Sequence, residues 1–298
     1  MKKAIFLFIA ACLMNLATTT TVAANEETVV TYAVGTYMVS TLSEGGGKGS
    51  AELLSGVTDE AMKKFLPDGT FDIQTNAFLV RTGNKNILVD TGYGRNLFDN
   101  LRSLGVSEDK IDVILLTHMH GDHIGGLLRD GKPAFPNAKI VLAIPERDHW
   151  MAAAAPDTPQ KKVLAAYSES LRLITPNTLD EIAAGKPSQR ESQPGTITST
   201  VIAAYGHTPG HVMFQIEADG KRLLIWGDLT HAMAVQMPYP SVAVTYDVDP
   251  AQAVQSRLAV LEYAAKNRIP VAGMHIAYPG IGTVAKKADG YSFTPAAR

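Results

Sequence analysis

A cluster of potential metal ligands lies in the segment THMHGDHIGG, from Thr117 to Gly126. It contains three of the eight histidines of the chain, together with one aspartate. In extended backbone, side chains two residues apart point the same way, so His118 and His120 can bind one ion. Asp122 and His123 are adjacent and diverge, which favours a second centre. Imidazole and carboxylate ligands suit zinc, or manganese, iron or cobalt.

Three later segments carry further ligand-type residues, each at the predicted end of a strand. His207 lies on the turn after a strand predicted for 197–204, Asp228 follows a strand predicted for 222–226, and His275 ends another apolar run. Each of these residues alone is weak evidence for a metal site, because histidines at the surface near a turn are the alternative explanation. Together with the cluster, they indicate one site assembled from several loops.

The elements that must position these residues alternate between strand and helix. Periodicity predicts strands over 28–41, 71–81, 86–90, 111–116, 138–143, 197–204, 212–217 and 222–226. It predicts helices over 94–104, 145–155, 162–173 and 250–267, and a flexible glycine-rich loop over 43–50. This order predicts an α/β sandwich whose loops gather at one sheet edge.

The N-terminus has the order of a secretory signal peptide. Two lysines precede an apolar run from Ala4 to Met14, and small residues end at Ala24. The run is shorter than the roughly 18 residues that span a membrane. We therefore expect a signal peptide over 1–24, a single exported domain over 25–298 in the periplasm or outside the cell, and no membrane insertion. A lipobox-like sequence at Cys12 leaves lipidation as an alternative.

Composition excludes several classes of function. Cys12 is the single cysteine, so cleavage after Ala24 leaves no thiolate ligand, disulfide or cysteine nucleophile. Cleavage also removes two lysines and takes the formal charge from −2 to −4. This acidic balance argues against nucleic acid as a partner. We expect a small-molecule substrate, and a homodimer remains open.

The spacing of His118, His120, Asp122 and His123 resembles the signature of the metallo-β-lactamase-fold hydrolase superfamily. Asp90-Thr91-Gly92, the Gly-His-Thr of 206–208, Gly227-Asp228 and His275 occur in the order of that family. The resemblance implies a four-layer αββα sandwich and two divalent ions, with zinc expected first. It assigns His118, His120 and His207 to one metal, Asp122, His123 and His275 to the other, and Asp228 as a bridge.

The resemblance also implies a reaction. Two divalent ions lower the pKa of a shared water toward neutrality, which makes a bridging hydroxide available as the nucleophile. Asp122 can orient this hydroxide or accept its proton. The segments 226–231 and 273–280 are most similar to the methyl-parathion-hydrolase-like group. We therefore expect hydrolysis of an ester, lactone or phosphotriester without a covalent enzyme intermediate.

Other functions remain as alternatives. An acyl-homoserine lactonase of the quorum-quenching type is one, although those enzymes look to have a tyrosine where this chain has His231. A non-catalytic, exported metal-binding homologue is another. The absence of a mature cysteine and the presence of Asp228 argue against a β-lactamase. Only 23 residues follow His275, which argues against a glyoxalase-type thioesterase.

The substrate pocket is predicted less directly. Five side chains are candidates for an apolar pocket: Met38, Phe65, Leu66, His231 and Tyr278. A place in the hydrophobic core explains the apolar members equally well. Two further histidines have no ligand role: His211, which follows the His207 turn, and His149, which is expected at the surface.

Overall fold

The computed structural model describes residues 28–153, 155–184 and 199–297. The signal peptide predicted for 1–24, with Cys12 inside it, lies outside these residues. Within the described ranges, no helix is long and apolar enough to cross a membrane.

Seven strands form the first sheet. In spatial order they are β1 (Val29–Val34), β2 (Tyr37–Ser50), β4 (Thr70–Arg81), β5 (Asn86–Val89), β6 (Val113–Leu115), β9 (Lys139–Ala143) and β10 (Leu171–Ile174). Neighbours from β1 to β5 are antiparallel, whereas those from β5 to β10 are parallel. Because parallel strands end at the same edge, the residues that follow β5 and β6 lie side by side.

Six strands form the second sheet. Their order is β11 (Ser199–Ala203), β12 (Val212–Ala218), β13 (Lys221–Ile225), β15 (Val271–Ala272), β16 (Ile281–Lys287) and β17 (Gly290–Pro295). β13 and β15 are parallel, so the loops that follow them are neighbours. Two small pairs complete the strands: β3 (Leu54–Ser55) with β14 (Ala243–Val244), and β7 (Leu128–Arg129) with β8 (Lys132–Pro133).

Eight α-helices are seen in the described part of the chain. They are α1 (Asp59–Phe65), α2 (Leu97–Ser103), α3 (Gly121–Ile124), α4 (Ile144–Ala152), α5 (Pro159–Ala166), α6 (Leu179–Ala183), α7 (Met233–Gln236) and α8 (Pro250–Asn267). The sequence predicts the bounds of α8 because the Asp249 side chain accepts the Gln252 N–H at 3.0 Å and proline occupies the first turn.

Three hydrophobic clusters separate four layers. Phe78 of the first sheet and Phe214 of the second belong to the core between the sheets. Leu97 of α2 belongs to the core on the outer face of the first sheet. Leu261 of α8 and Met213 of β12 belong to the core on the outer face of the second sheet. Alternate residues of β12 thus face opposite layers. The predicted αββα sandwich is confirmed.

The glycine-rich segment 43–50 is not the loop predicted from sequence. It continues β2 and pairs with β4, from Gly45 opposite Thr75 to Ser50 opposite Thr70. A Cβ on Gly49 would lie 2.6 Å from Ile73 Cδ1 and 2.7 Å from the Phe71 ring, so a larger residue would displace β4 side chains that pack against the strand. The bias against glycine in strands therefore misleads here.

Other elements differ from the prediction as well. The helix predicted for 162–173 ends at Ala166, and the chain then forms β10, because pairing with β9 overrides the local helical pattern. The strand predicted for 28–41 is a hairpin that turns at Gly35, where φ is 57°. The sequence analysis did not predict α1, α6 or the hairpin of β16 and β17.

Candidate metal centre

The predicted ligands of the first metal converge at one edge of the two sheets. His120 Nδ1 lies 3.0 Å from both His118 Nε2 and His207 Nε2. Asp228 Oδ2 lies 3.2 Å from His207 Nε2 and 3.6 Å from His118 Nε2. All four ligand atoms lie within 4.8 Å of one another, although His118 and His207 come from loops of different sheets. One ion fits between them.

The predicted ligands of the second metal also converge. Asp122 Oδ2 lies 3.5 Å from His275 Nε2 and 3.8 Å from His123 Nε2. Asp228 reaches this group too, because its Oδ1 lies 3.0 Å from His123 Nε2 and its Oδ2 lies 3.1 Å from His275 Nε2. One carboxylate therefore touches both groups, as the resemblance implies.

Two buried atoms of this cluster support a cation site. In the described part of the chain, His123 Nε2 and Asp228 Oδ1 have no hydrogen-bond partner. Both side chains are almost fully buried, at 0% and 3% exposure. Buried polar atoms are normally paired, and an imidazole nitrogen facing a carboxylate oxygen is a typical donor set for divalent cations. The residues therefore fit divalent metal ions.

A second hydrogen bond fixes three of the ligand imidazoles. His123 Nδ1 donates to Asp90 at 2.6 Å, and His207 Nδ1 donates to Asp247 at 2.8 Å. His275 Nδ1 donates to the Gln74 carbonyl at 2.7 Å. In each case, Nε2 is left to face the cluster.

The loop of the bridging aspartate is held by His211. The Asp228 backbone N–H donates to His211 Nε2 at 2.9 Å, and His211 Nδ1 donates to the Ala204 carbonyl at 2.9 Å. A Cβ on Gly227 would lie 2.4 Å from His211 Nε2, so glycine is required before Asp228. His211 therefore positions the loop of Asp228, because both of its ring nitrogens bond to backbone groups and neither faces the ligand cluster.

A fully buried glutamate joins the two loops that carry the first metal's ligands. Glu146 accepts hydrogen bonds from the Met119 N–H at 2.9 Å and the Thr208 hydroxyl at 2.6 Å. It also accepts from the Trp150 indole N–H at 2.6 Å and the Gly210 N–H at 3.1 Å. The sequence analysis missed this residue, because nothing in the α4 pattern separates Glu146 from surface acids.

The two groups differ in electrostatics. Burial and the neighbouring imidazoles lower the pKa of His118 well below its usual value, and burial and His207 lower the pKa of His120 to about 4. Burial would also lower the pKa of His207, but Asp228 and Asp247 raise it to about 9. Likewise, carboxylates outweigh burial and raise the pKa of His123 and His275.

His231 lies inside the cluster. Its side chain is 4% exposed, and its Nε2 lies 3.1 Å from Asp228 Oδ2. Its ring stacks on His275, with ring centroids 4.8 Å apart. His231 therefore contacts the shared carboxylate directly, and its predicted contact with substrate stays a prediction.

The other predicted pocket residues are scattered. Met38 pairs with Ala33 and Arg81 near the β1–β2 hairpin turn, so the strand register places it far from Gln74, the β4 residue that contacts His275. Leu66 is 2% exposed within a small core that includes Val235. The core interpretation therefore holds for Leu66, and the structure does not bring Met38 to the cluster.

The last two predicted pocket residues, Phe65 and Tyr278, are both half-buried. Phe65 packs edge-on against Tyr239, with ring centroids 5.7 Å apart. Tyr278 is half-buried in the loop after His275. Their predicted contacts with substrate stay predictions.

Three aromatic residues that the sequence analysis missed surround the cluster. Trp150 lies with its ring centroid 5.8 Å from that of His120. Tyr246 lies 5.1 Å from His231, and Tyr93 is 45% exposed beneath the Arg95 guanidinium. His149 contacts Trp150, not the ligands. No periodic pattern marks these aromatic residues, because they lie in loops or at a helix end.

The family of the chain follows from its match to a sequence model. Residues 70–270 match the model of the metallo-beta-lactamase superfamily. The chain belongs to this superfamily. The predicted family is thereby confirmed, and the matched residues carry all the predicted ligands except His275, which lies five residues beyond.

Two solved structures are similar over nearly the whole chain. Hydrolase AbOPH of the beta-lactamase superfamily superposes with a TM-score of 0.78 at 26% identity, covering 91% of this chain and 98% of that one. AidC, a dizinc quorum-quenching lactonase solved with the product N-hexanoyl-L-homoserine, superposes with a TM-score of 0.79 at 26% identity and the same coverage.

Curated relatives match only in part. An atrochrysone carboxyl ACP thioesterase of Passalora fulva is 27% identical over 54% of this chain and 39% of its own length. The lactamase-like protein vrtG of Penicillium aethiopicum is 28% identical over 54% of this chain and 42% of its own length. The chain thus spans about two fifths of these relatives. Together with the site, the similar proteins support the predicted metal-dependent hydrolase.

Proposed function

We propose that the protein is a hydrolase that uses two divalent ions, with zinc as the expected metal, on a neutral ester, lactone or phosphotriester. The position of Asp228 carries this proposal. Its carboxylate lies 3.2 Å from His207 of the first group, and 3.0 Å from His123 of the second. A single buried carboxylate between two imidazole groups can bind two cations at once, one in each group.

The ions and the protein have separate tasks in this reaction. Two bound divalent ions would supply a hydroxide nucleophile at neutral pH, because they lower the pKa of water between them. Asp122 is 19% exposed and borders the second group, so it can orient the attacking water and accept its proton. His123 and His207 are locked by Asp90 and Asp247, so the ligand geometry is set before substrate binds.

The surroundings of the site favour a partly apolar substrate. Trp150 and Tyr246 flank the histidines of the first group, and Asp122 acts electrostatically on Tyr93. Aromatic side chains of this kind bind acyl or aryl groups.

An acyl-homoserine lactonase is the second candidate. The extensive similarity to AidC favours it, whereas the equal similarity to AbOPH favours a broader hydrolase. A non-catalytic metal-binding protein is the third possibility. We also propose that a signal peptide over 1–24 directs export into the periplasm or the medium, and that its cleavage removes Cys12. The exported protein is proposed to act on a small molecule, to bind no nucleic acid and to exist as a monomer or a homodimer.

Metal analysis and a substrate panel test the proposal. We expect about two divalent ions per chain, with turnover of an aryl ester, a lactone or a phosphotriester that a chelator abolishes and zinc restores. Relative rates on an acyl-homoserine lactone and on a phosphotriester separate the first two candidates. Two bound ions without turnover of any substrate would instead support the binding protein.

A further inference from the structure

Tyr246 stands at the edge of the metal site but belongs to neither ligand group. It lies in the loop between β14 and α8 and is 39% exposed. Its ring packs edge-on against two imidazoles, with centroids 5.9 Å from His207 and 5.1 Å from His231. The ring of Tyr246 is therefore packed against the histidines of the site, while part of the side chain is exposed to solvent.

The hydroxyl of Tyr246 is available for a ligand. Across the residues that the structure describes, it makes no hydrogen bond to the protein. The ring contacts of Tyr246 with His207 and His231 place this side chain beside the first ligand group.

The backbone around Tyr246 is tied to the His207 loop. The next residue, Asp247, accepts from His207 Nδ1 at 2.8 Å and from the Val244 N–H at 3.1 Å. The Val248 N–H donates to the His207 carbonyl at 3.1 Å. Tyr246 is therefore held in a fixed position relative to a metal ligand, as a preorganised donor must be.

Tyr93 is the other exposed phenol near the site, and its surroundings differ. The guanidinium of Arg95 covers its ring at 4.5 Å, and Asp122 is the charged group that acts on it most strongly. No described imidazole packs against its ring. Tyr93 thus packs against a guanidinium, whereas Tyr246 packs against two imidazoles of the site.

We infer that Tyr246 is a catalytic residue whose hydroxyl donates a hydrogen bond to the carbonyl or phosphoryl oxygen of the substrate. This inference rests on the proposed function. Hydroxide attack forms a new bond to carbon or phosphorus and moves an electron pair onto that oxygen. When the pair returns, the alkoxide leaves and takes a proton from water. Tyr246 keeps its proton throughout and stabilises the oxygen while it is negative.

The decisive variant is Tyr246→Phe, which keeps the ring against His207 and His231 and removes only the hydroxyl. We expect kcat and kcat/KM to fall together by about 100-fold, with KM and the bound metal unchanged, because the hydrogen bond forms mainly in the transition state. Tyr263→Phe is the matched control. It removes a hydroxyl that donates to Gln215 on the outer face of the second sheet, and we expect wild-type kinetics.

A binding measurement adds a readout other than turnover. A phosphonate monoester presents negatively charged oxygens on a tetrahedral centre, and we expect Tyr246→Phe to bind it about tenfold more weakly than wild type. This measurement still tests Tyr246 if wild type hydrolyses none of the panel, an outcome that would overturn the proposed function alone.

Three results would overturn the role of Tyr246. One is a Tyr246→Phe variant with wild-type kcat on every hydrolysed substrate. Another is loss of metal from this variant, which would show that the tyrosine acts through His207. The third is a 100-fold loss in Tyr93→Phe with none in Tyr246→Phe, which would transfer the role to the other phenol.

Discussion

The ligand loops and the mouth of the site, meaning the loops that carry Tyr93 and Tyr246, are held in place by different contacts. The ligands His123, His207 and His275 are at most 6% exposed, and each donates a second hydrogen bond to a fixed acceptor. The Tyr93 and Tyr246 side chains are 45% and 39% exposed and, among the described residues, are themselves held only by ring contacts, although hydrogen bonds tie the backbone beside Tyr246 to the His207 loop. Each of these ligand imidazoles is thus fixed by its own hydrogen bond, whereas the exposed phenols are positioned by their backbone and by ring packing.

This difference separates two kinds of mutation. A change in a ligand loop should alter metal binding, and activity should fall as a consequence. A change at the mouth should alter substrate preference or rate while metal remains bound. Superfamily members can therefore keep one metal centre and differ in substrate, because the mouth is built from loops that tolerate substitution.

The largest effect is expected for Asp228→Ala. This change removes the carboxylate shared by both groups and leaves several buried imidazoles facing one another. We expect metal affinity to fall by more than about 100-fold, the upper end for residues that only orient a ligand, and activity to fall with it. Elemental analysis after dialysis and the rate on an aryl ester measure both effects. Retention of two ions by this variant would contradict the role of Asp228 as a ligand shared by both groups.

The pH dependence of metal binding is expected to be steep. In the metal-free protein, carboxylates raise the pKa of His207 to about 9 and also raise the pKa of His123 and His275. Protonated imidazoles cannot bind metal, so metal must displace these protons. Affinity should therefore rise with pH between about 6 and 9, by at least about tenfold per unit.

The raised pKa values of these histidines have the opposite effect on the stability of the metal-free protein, which should fall as pH rises. A histidine whose folded pKa is raised stabilises the metal-free protein fully below its unfolded value of about 6.5, and this stabilisation is lost as pH rises toward 9. Competition with a chromogenic chelator at pH 6, 7 and 8 measures affinity, and urea unfolding of the metal-free protein measures stability. An affinity independent of pH would show that these imidazoles are neutral before metal binds.

The metal ligands could be predicted from sequence because residue type and local spacing identify them. His118, His120, Asp122 and His123 lie within six residues that follow a buried strand, and the other three ligands follow other strand ends. The sandwich brings strand ends to one edge, so little long-range information was needed. Residue type and spacing marked Asp228 only as a candidate ligand, and its role as the shared carboxylate came from the family resemblance.

The mouth could not be predicted, because tertiary contacts alone place its residues. Tyr246 lies in an irregular loop, positioned by a hydrogen bond between Asp247 and His207, 40 residues apart. Met38 was misplaced because the sequence does not reveal the turn at Gly35, which sets the register of β2. Local patterns carry no information about either contact.

Loss of the Asp247 carboxylate should have a smaller effect than loss of Asp228. Asp247→Ala removes the acceptor for His207 Nδ1 and frees that imidazole to rotate. We expect metal affinity to fall by about 10- to 100-fold, with activity restored at high zinc concentration. Asp219→Ala is the control, since Asp219 accepts a hydrogen bond from Thr36 and contacts no ligand. Wild-type affinity in Asp247→Ala would mean that packing alone orients His207.

The smallest effects on catalysis are expected for Leu66→Ala and Met38→Ala, which test whether these residues belong to the mouth. Leu66 is buried, so its truncation should lower the free energy of unfolding by about 2–5 kcal/mol and leave KM unchanged. Met38 is 39% exposed on β2, next to the turn of the β1–β2 hairpin, so its truncation should change stability by less than about 0.5 kcal/mol and KM not at all. Urea unfolding of the metal-loaded variants and KM for one aryl ester give both quantities. A raised KM in Met38→Ala would extend the substrate surface along β2, and the mouth would then include a regular strand as well as loops.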